Sequence, residues 1–268
     1  MTGASTGMGR ATAVELARQG FHVLAGVRQD SDADAIRSAG IEPVILDITK
    51  PEQVEALALR VGPSLHALVN NAGIQVNAPV EALPMDQWRR TFEVNLFGHV
   101  AVTQALLPAL LRGQGRVVNI SSVGGKAAMP TYGAYAGAKF ALEAVSDSLR
   151  REVAALGVQV VVVEPGGVRT EMAARGIATA DELAAGMTAE QERRYGGMVL
   201  AINSLMDSGT AAGVSAEAAA LVVAKAVTAR RPRTRYTIGR DAAVLTRLVR
   251  VLSDRALDRV IAARLRRV

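Results

Sequence analysis

The chain has 268 residues, of which half are hydrophobic, 21% are charged and none is cysteine. These values fit one large α/β domain and exclude a disordered chain, a disulfide scaffold and any thiolate or Cys-ligated metal site. The net charge of +6 is uneven, because residues 229–268 contain twelve arginines and three aspartates, whereas residues 1–228 contain nineteen basic and twenty-two acidic groups. The positive charge therefore belongs to the tail.

Short apolar segments rich in β-branched residues alternate with helical patterns along the first 165 residues. The predicted strands are 21–27, 43–46, 67–70, 116–120 and 158–163, and the predicted helices are 8–19, 51–61, 86–111 and 133–156. Segment 158–163 is almost entirely apolar, which is typical of a strand covered on both faces by helices. The alternation predicts a Rossmann-like, doubly wound parallel sheet in a single α/β domain.

The pattern is weaker over residues 171–212, where glycines interrupt short helical segments that carry four methionines. We interpret this region as a lid with an apolar lining, and the alternative is an insertion with a small core of its own. A helix at 215–228, a strand at 236–238 and one amphipathic helix at 241–266 follow. The predicted organisation is a catalytic domain at 1–240 and a basic amphipathic helix at 241–268.

A glycine-rich turn at residues 2–9 leads directly into the first predicted helix. Its spacing is G-x-x-x-G-x-G, and such a turn lets the backbone approach a pyrophosphate while the helix N-terminus offers N–H groups to it. The turn should follow a central strand of the sheet, but only Met1 precedes Thr2. We therefore expect the natural protein to have several more residues, which form a first strand that is absent from residues 1–268.

Tyr135 and Lys139 are four residues apart, which places a phenol and an ammonium on one face of a helix. A free tyrosine has a pKa of about 10, and a neighbouring cation favours its phenolate. Such a pair can pass a proton to or from an alcohol oxygen, although by itself it is also typical of a solvated helix surface. Ser122, an Asn-Asn-Ala-Gly segment and Pro165 follow three predicted strands, at the sheet edge where open α/β folds bind ligands.

From Thr2 to about Thr170 these motifs follow the order of the short-chain dehydrogenase/reductase family, which the sequence resembles. Segments 92–98, 119–122 and 139–152 are most similar to the branch of hydroxysteroid and retinol dehydrogenases. The resemblance implies that Tyr135 is the catalytic acid/base, that Lys139 holds the nicotinamide ribose and lowers the pKa of the phenol, and that Ser122 binds the reacting oxygen. It further implies that Asn95 supports a water between Lys139 and bulk solvent.

The resemblance also implies a set of cofactor-binding residues. These are Gly3, Ser5, Thr6, Gly7, Met8, Gly9, Asp47, Ile48, Asn71, Ala72, Gly73, Tyr135, Lys139, Pro165, Gly166, Val168 and Thr170.

The choice between NAD and NADP depends on the side chain at the end of the second strand of such folds. Val27 stands where NAD enzymes carry an acidic side chain, and Arg28 follows it. No carboxylate opposes a 2′-phosphate there, and a guanidinium can hold one. The sequence therefore predicts NADP and Arg28 as one of its ligands. NAD is the alternative, because Asp30, Asp32 and Asp34 follow closely.

The basic tail repeats apolar residues at helical spacing with arginines between them. Three interpretations stay open: a helix packed on its own or a partner subunit, peripheral docking on an anionic membrane, and nucleic-acid binding. The acidic body and the 3% of aromatic residues argue against nucleic acid. The three histidines lack metal-ligand spacing, so we predict no metal.

The sequence as a whole predicts an NADP-dependent oxidoreductase acting on an apolar alcohol or ketone that is steroid-like, retinoid-like or another lipid. The alternatives are a reductase of 3-oxoacyl or other lipid carbonyls and a non-catalytic NADP-binding sensor or scaffold. With no signal peptide and no apolar run of membrane-span length, we expect a cytoplasmic protein, peripheral to the inner face of a membrane if the tail docks there. The resemblance implies a dimer or tetramer through helices around 92–111 and 135–155.

Overall fold

Strands and helices alternate along the chain in the structure, a computed structural model that describes residues 1–266. The strands are β1 (Val23–Val27), β2 (Ile41–Ile45), β3 (Ala67–Asn70), β4 (Arg116–Ile120), β5 (Gln159–Pro165), β6 (Val168–Arg169), β7 (Val214–Ser215) and β8 (Arg235–Ile238). The helices are α1 (Gly7–Arg18), α2 (Asp30–Ile36), α3 (Pro51–Val61), α4 (Met85–Phe92), α5 (Gly98–Arg112), α6 (Gly133–Val153), α7 (Glu171–Ala185), α8 (Ala189–Ala211), α9 (Ala216–Thr228), α10 (Arg240–Val251) and α11 (Asp254–Leu265). All the strands predicted from sequence are present, and α2 was not predicted.

The main sheet is entirely parallel, with β2 beside β1 and with β3, β4, β5 and β8 in that order. Residues 1–4 lie between β1 and β3. The Gly26 amide donates to the Met1 carbonyl (2.8 Å) and the Thr2 amide donates to the Val69 carbonyl (3.0 Å). These bonds join the two groups of strands into one layer. The predicted doubly wound fold is confirmed, and within residues 1–266 no strand precedes α1.

Two apolar cores lie on the two faces of this sheet. α1 and α9 cover one face, where Leu16 is buried, and α3 and α5 cover the other, where Leu106 is buried. β5 supplies both cores, because successive side chains point to opposite faces of a strand. Val161 packs in the first core and Val160 in the second. Burial on both faces explains why the β5 segment is almost entirely apolar.

Residues 171–211 form two long helices, α7 of 15 residues and α8 of 23 residues, so the prediction of short interrupted pieces was wrong. α8 begins with a capping box, in which the Thr188 hydroxyl accepts from the Gln191 amide and the Gln191 side chain accepts from the Thr188 amide. A glycine inside a helix costs about 1 kcal/mol relative to alanine. Packing of α7 along α8, with Val199 and Ile202 buried, offsets that cost.

The tail is also different from its prediction, because residues 241–266 form two helices rather than one. Leu252 is extended, with ψ of 141°, and Ser253 takes the N-cap position of α11 with ψ of 157°. Serine is favoured at that position, where the backbone is not helical. α10 packs against β8 and α11 against α8, so both helices lie on their own subunit. Residues 267 and 268, which the predicted tail includes, lie outside the described part of the chain.

α4 and α5 form one continuous helix, Met85–Arg112, through a π-helical turn at Glu93–Phe97. This helix of 28 residues is long and apolar enough to span a membrane, so the expectation that no segment has that length and composition was wrong. Half of its most apolar window is buried within the fold, as in the core helix of a globular domain. Val102 and Leu110, for example, are fully buried in the core beside α3.

Candidate active site

The glycine-rich turn lies at the carboxyl ends of β1 and β3, directly before α1. Gly3 and Gly7 have positive φ angles of 64° and 53°, a region that favours glycine. A Cβ atom at Gly3 would lie 2.7 Å from the Ala72 Cα, and one at Gly9 would overlap the Gly3 carbonyl. Thr6 at the N-cap of α1 makes no side-chain capping bond within residues 1–266. The glycines therefore let the turn pack closely against the loop after β3, and the start of α1 offers backbone N–H groups that fit a pyrophosphate. We refer to the turn and the start of α1 as the cradle.

The loop after β3 is tied to this turn by two side chains. The Thr2 hydroxyl accepts from the backbone amides of Asn71 and Ala72, both at 3.0 Å. The Asn71 side-chain amide donates to the Gly3 carbonyl at 2.8 Å. The structure thus brings the predicted residues Asn71 and Ala72 against the glycine turn, whereas the predicted Gly73 lies beside Asn95 and Met172.

Asn95 holds the next residue of the same loop. Its Oδ1 accepts from the Ile74 amide (2.9 Å) and its Nδ2 donates to the Ile74 carbonyl (2.8 Å). Asn95 is fully buried and lies in the π-helical turn, a feature frequent at functional sites. Its side chain is therefore engaged with the Ile74 backbone, and the water-supporting role that the resemblance implied stays a prediction.

Tyr135 and Lys139 lie on α6, and they are only 8% and 4% exposed. The Lys139 ammonium is 5.9 Å from the centroid of the Tyr135 ring and donates to the carbonyl of Ile120, the last residue of β4, at 2.9 Å. The Ser122 Oγ accepts from the Gly124 amide at 3.0 Å. A Cβ atom at Gly124 would lie 3.2 Å from the Tyr135 ring, so this glycine lets the Ser122 turn approach the phenol. The structure places all three predicted side chains at the end of β4.

Burial is the largest influence on the pKa values of Tyr135 and Lys139. It raises the pKa of the Tyr135 phenol, and a hydrogen bond with Ser122 opposes the shift. It lowers the pKa of the Lys139 ammonium to about 8, with the Glu143 carboxylate acting in the opposite direction. The lowering influence of Lys139 on the pKa of Tyr135 that the resemblance implies stays a prediction. The pKa of Tyr135 is raised overall, because the loss of water around a phenolate disfavours the charged form.

The residues after β5 reach across to the glycine turn. A Cβ atom at Gly7 would lie 3.0 Å from the Cβ of Thr170, so these two predicted residues are in contact. Arg175, one turn into α7, donates to the Thr6 hydroxyl at 3.2 Å. α7 therefore begins at the cradle and covers one side of it.

Pro165, Gly166 and Val168 hold the segment that leads to Thr170. Pro165 ends β5, and the Gly166 amide donates to the Ile238 carbonyl at 2.9 Å. Val168 is paired with Val214 between β6 and β7. These contacts fix where the chain leaves the sheet.

Arg28 and Asp47 lie at the other edge of the cradle. Arg28 follows β1 and is exposed. Burial raises the pKa of the Asp47 carboxyl, but hydrogen bonds from Thr49 and the charges of Arg28 and Lys50 outweigh it, so the pKa is lowered overall. The Asp47 carboxylate accepts from the Thr49 amide (3.0 Å) and hydroxyl (2.7 Å). The neighbouring Ile48 is buried, so its side chain supports the loop from inside.

Sequence reasoning missed His99 as part of the site. Its Nε2 lies 2.6 Å from the Ala72 carbonyl, and burial together with the charge of Lys139 lowers its pKa to about 3. The ring is therefore neutral and donates to that carbonyl. The signal available in the sequence was its spacing, four residues after Asn95 on one helix face. Within residues 1–266 no group of three acidic or histidine side chains could hold a metal ion.

Comparisons with known proteins give consistent likenesses. Residues 1–181 match the family described as short chain dehydrogenase. Retinol dehydrogenase 5 of Mus musculus is 38% identical over 286 aligned positions, which cover 97% of this chain and 86% of that protein. The uncharacterized oxidoreductase YbbO of Escherichia coli K12 is 43% identical over 175 residues, which cover 63% of this chain and only 65% of YbbO. A short chain dehydrogenase from Burkholderia cenocepacia, solved in complex with NADP, has a TM-score of 0.75 and 26% identity, covering 98% of this chain and 94% of its own.

The shared parallel sheet and the family match over about two thirds of the chain agree with the resemblance to the retinol and hydroxysteroid dehydrogenase branch. The chain belongs to the short-chain dehydrogenase family.

Proposed function

We propose that this protein is an NADP-preferring dehydrogenase and ketoreductase for apolar alcohols and ketones of steroid-like, retinoid-like or other lipid character. The observation that carries the proposal is the buried pair Tyr135 and Lys139 beside Ser122, at the end of β4 and close to the glycine turn. A phenol and a cation in a site shielded from water can move a proton to and from an alcohol oxygen.

The chain's own residues carry the proton chemistry. The nicotinamide supplies the hydride acceptor in oxidation and the hydride donor in reduction. In oxidation the ionised Tyr135 takes the hydroxyl proton of the alcohol, and in reduction the neutral phenol gives a proton to the carbonyl oxygen. The Ser122 hydroxyl hydrogen-bonds the same oxygen, and the Lys139 ammonium stabilises the phenolate. Asn95 keeps the loop after β3 in position through the Ile74 backbone.

The cradle residues take the remainder of the cofactor. The glycine turn and the start of α1 bind the pyrophosphate, and the loop after β3 lines the adenosine side. Thr170, in contact with Gly7, closes the nicotinamide side. The residues proposed to hold the cofactor are Gly3, Ser5, Thr6, Gly7, Met8, Gly9, Arg28, Asp47, Ile48, Asn71, Ala72, Gly73, Tyr135, Lys139, Pro165, Gly166, Val168 and Thr170.

The preference for NADP rests on Arg28. Its exposed guanidinium follows β1, next to Val27, where NAD enzymes use a carboxylate. The Burkholderia cenocepacia relative was solved with NADP, which supports the same cofactor here.

The apolar substrate class rests on the two helices that cover the site. A Cβ atom at Gly73 would lie 3.6 Å from the Cε of Met172 at the start of α7. Met206 of α8 reaches the side chains of Gln75 and Asn77 in the same region. Thioether side chains make an adaptable apolar lining. The relative named retinol dehydrogenase 5 supports a substrate of this kind.

Reduction of a panel of apolar ketones and aldehydes with NADPH and with NADH, followed by cofactor absorbance, tests the proposal. Tyr135→Phe should bind NADPH as the parent protein does but lose turnover by about a hundredfold or more, because only the proton donor is removed. Tyr195→Phe, a tyrosine of α8 whose hydroxyl donates to the exposed Glu81, is the matched control and should keep full turnover. Near-normal turnover in Tyr135→Phe would remove the mechanism.

We also propose an oligomeric state and a cellular location for the protein. Exposed Phe97 and Phe140, on the helices predicted to associate, support a homo-oligomer. α10 and α11 pack on their own subunit and leave arginines such as Arg247 and Arg255 exposed, which supports a cytoplasmic protein with peripheral contact to anionic membrane. Flotation with anionic liposomes, with and without residues 241–268, tests the membrane contact. Equal flotation of the two forms would refute it.

A further inference from the structure

A group of polar side chains beside Tyr135 plays no part in the proton chemistry. Gln75 and Asn77 lie on the loop after β3, and Thr131 and Tyr132 lie directly before α6. The Ala78 amide donates to the Thr131 carbonyl at 3.0 Å, so the two segments are adjacent. We refer to Gln75, Asn77, Thr131 and Tyr132 as the amide cluster.

The amide cluster has poor hydrogen-bond partners. Asn77 Nδ2 donates to the Met206 sulfur at 3.0 Å, and Gln75 Nε2 is 3.6 Å from the same sulfur and 3.3 Å from the Tyr132 hydroxyl. A thioether is a weak acceptor. Asn77 is 1% exposed, and within residues 1–266 its Oδ1 has no partner; the same is true of the Thr131 hydroxyl. Buried polar atoms are normally paired, so these atoms indicate a site that a ligand completes.

The position of the cluster relates it to the reaction. The rings of Tyr132 and Tyr135 meet edge to face with their centroids 6.1 Å apart, so the cluster is one aromatic ring away from the reacting phenol. Thr131 has a positive φ of 68°, a conformation that costs energy in a β-branched residue. Burial raises the pKa of Tyr132 well above its usual value, against hydrogen bonds with Gln75 and Asn77 that lower it, so its hydroxyl is neutral and able to donate and accept.

The missing partners define the chemistry of the ligand group. The side-chain N–H groups of Gln75 and Asn77 need an acceptor, whereas Asn77 Oδ1 needs a donor. A hydroxyl supplies both, and a carbonyl supplies only the acceptor. Met206 is flexible and is held there by α8 and its weak sulfur contacts, so it can yield to a better partner.

We propose that the amide cluster binds a second hydroxyl of the substrate, remote from the reacting carbon, which replaces the Met206 sulfur as the partner of Asn77 and Gln75. The substrate is then an apolar hydroxy-ketone or diol rather than an apolar compound with one oxygen. This inference rests on the proposed function, since it concerns the substrate of the same site.

The test compares two ketones that share one apolar skeleton and differ by one remote hydroxyl. The protein should reduce the hydroxy-ketone with a kcat/KM about tenfold or more above that of the plain ketone, because only the former pairs the buried amides. In Asn77→Leu the ratio of the two kcat/KM values should fall close to one. Met206→Leu keeps an apolar cover over intact amides and should retain the ratio. Gln75→Leu changes a partly exposed position and should also reduce the ratio of the two kcat/KM values, so it replaces Asn77→Leu in the test if that variant does not fold.

Direct binding separates failure of this inference from failure of the proposed function. If no ketone is reduced, the proposed function fails. The subsite would still be supported if the NADPH-loaded protein bound the hydroxy-ketone more tightly than the plain ketone and if Asn77→Leu or Gln75→Leu lost this difference. A ratio near one in the parent protein, in turnover or in binding, would overturn the inference. Retention of the full ratio in folded Asn77→Leu would overturn it equally.

Discussion

Asn95→Ala is the substitution that best tests how the structure holds its active site. The mutation removes the acceptor of the Ile74 amide and the donor to the Ile74 carbonyl, two bonds of 2.9 and 2.8 Å at a fully buried side chain. Each such bond contributes about 1 kcal/mol net, and a buried group left unpaired costs about 1–3 kcal/mol. Ile74 is partly exposed, so water repairs some of the loss. We expect a destabilisation of about 2–3 kcal/mol, or about 4–10 °C in Tm.

Thermal unfolding and NADPH-linked kinetics of the same samples distinguish two roles for Asn95. If Asn95 positions the loop after β3, Asn95→Ala should weaken cofactor binding and turnover together. If Asn95 only supports a water near Lys139, the substitution should alter the pH profile of turnover and leave the Tm unchanged. Asn203→Ala is the control, because Asn203 is a buried asparagine whose side chain donates to Asp181, between α7 and α8, rather than to the backbone of the loop. An unchanged Tm in Asn95→Ala would refute the positioning role.

Three further predictions concern the cofactor cradle and the phenol. Arg28→Asp should lower the NADPH to NADH ratio of kcat/KM by about tenfold or more, since it places a carboxylate where a 2′-phosphate would bind; an unchanged ratio would contradict the assignment. Gly9→Ala should raise the Kd for NADPH by about tenfold, because its Cβ would overlap the Gly3 carbonyl and lie 2.5 Å from Asn71 Nδ2. Gly197→Ala is the control and should leave this Kd unchanged, because a Cβ atom there would have nothing within 4 Å. Because burial raises the pKa of Tyr135, alcohol oxidation, which needs the phenolate, should speed up with rising pH through the alkaline range, and carbonyl reduction, which needs the phenol, should stay level near neutrality. Oxidation that reaches its plateau below neutral pH would show the shift to have the opposite sign.

Local sequence patterns were sufficient to predict the parallel sheet and many residues of the candidate site. Segment 158–163 is apolar because β5 is buried on both faces, so its composition alone predicted a parallel sheet. Tyr135 and Lys139 share a helix face because they are four residues apart. The same kind of reasoning failed at residues 171–211, where glycines suggested breaks but packing between α7 and α8 keeps both helices continuous.

The amino-acid sequence by itself determined the strands of the main sheet, the glycine turn and the residue types available for proton transfer, because these depend on neighbours along the chain. The tertiary structure decided the partners and the electrostatics. Asn95 meets the Ile74 backbone, His99 meets the Ala72 carbonyl and Asn77 lies under the Met206 sulfur only because distant segments pack together. The direction of the Tyr135 pKa shift was likewise decided by burial, since desolvation depends on everything that surrounds a group and not on the cation one helical turn away.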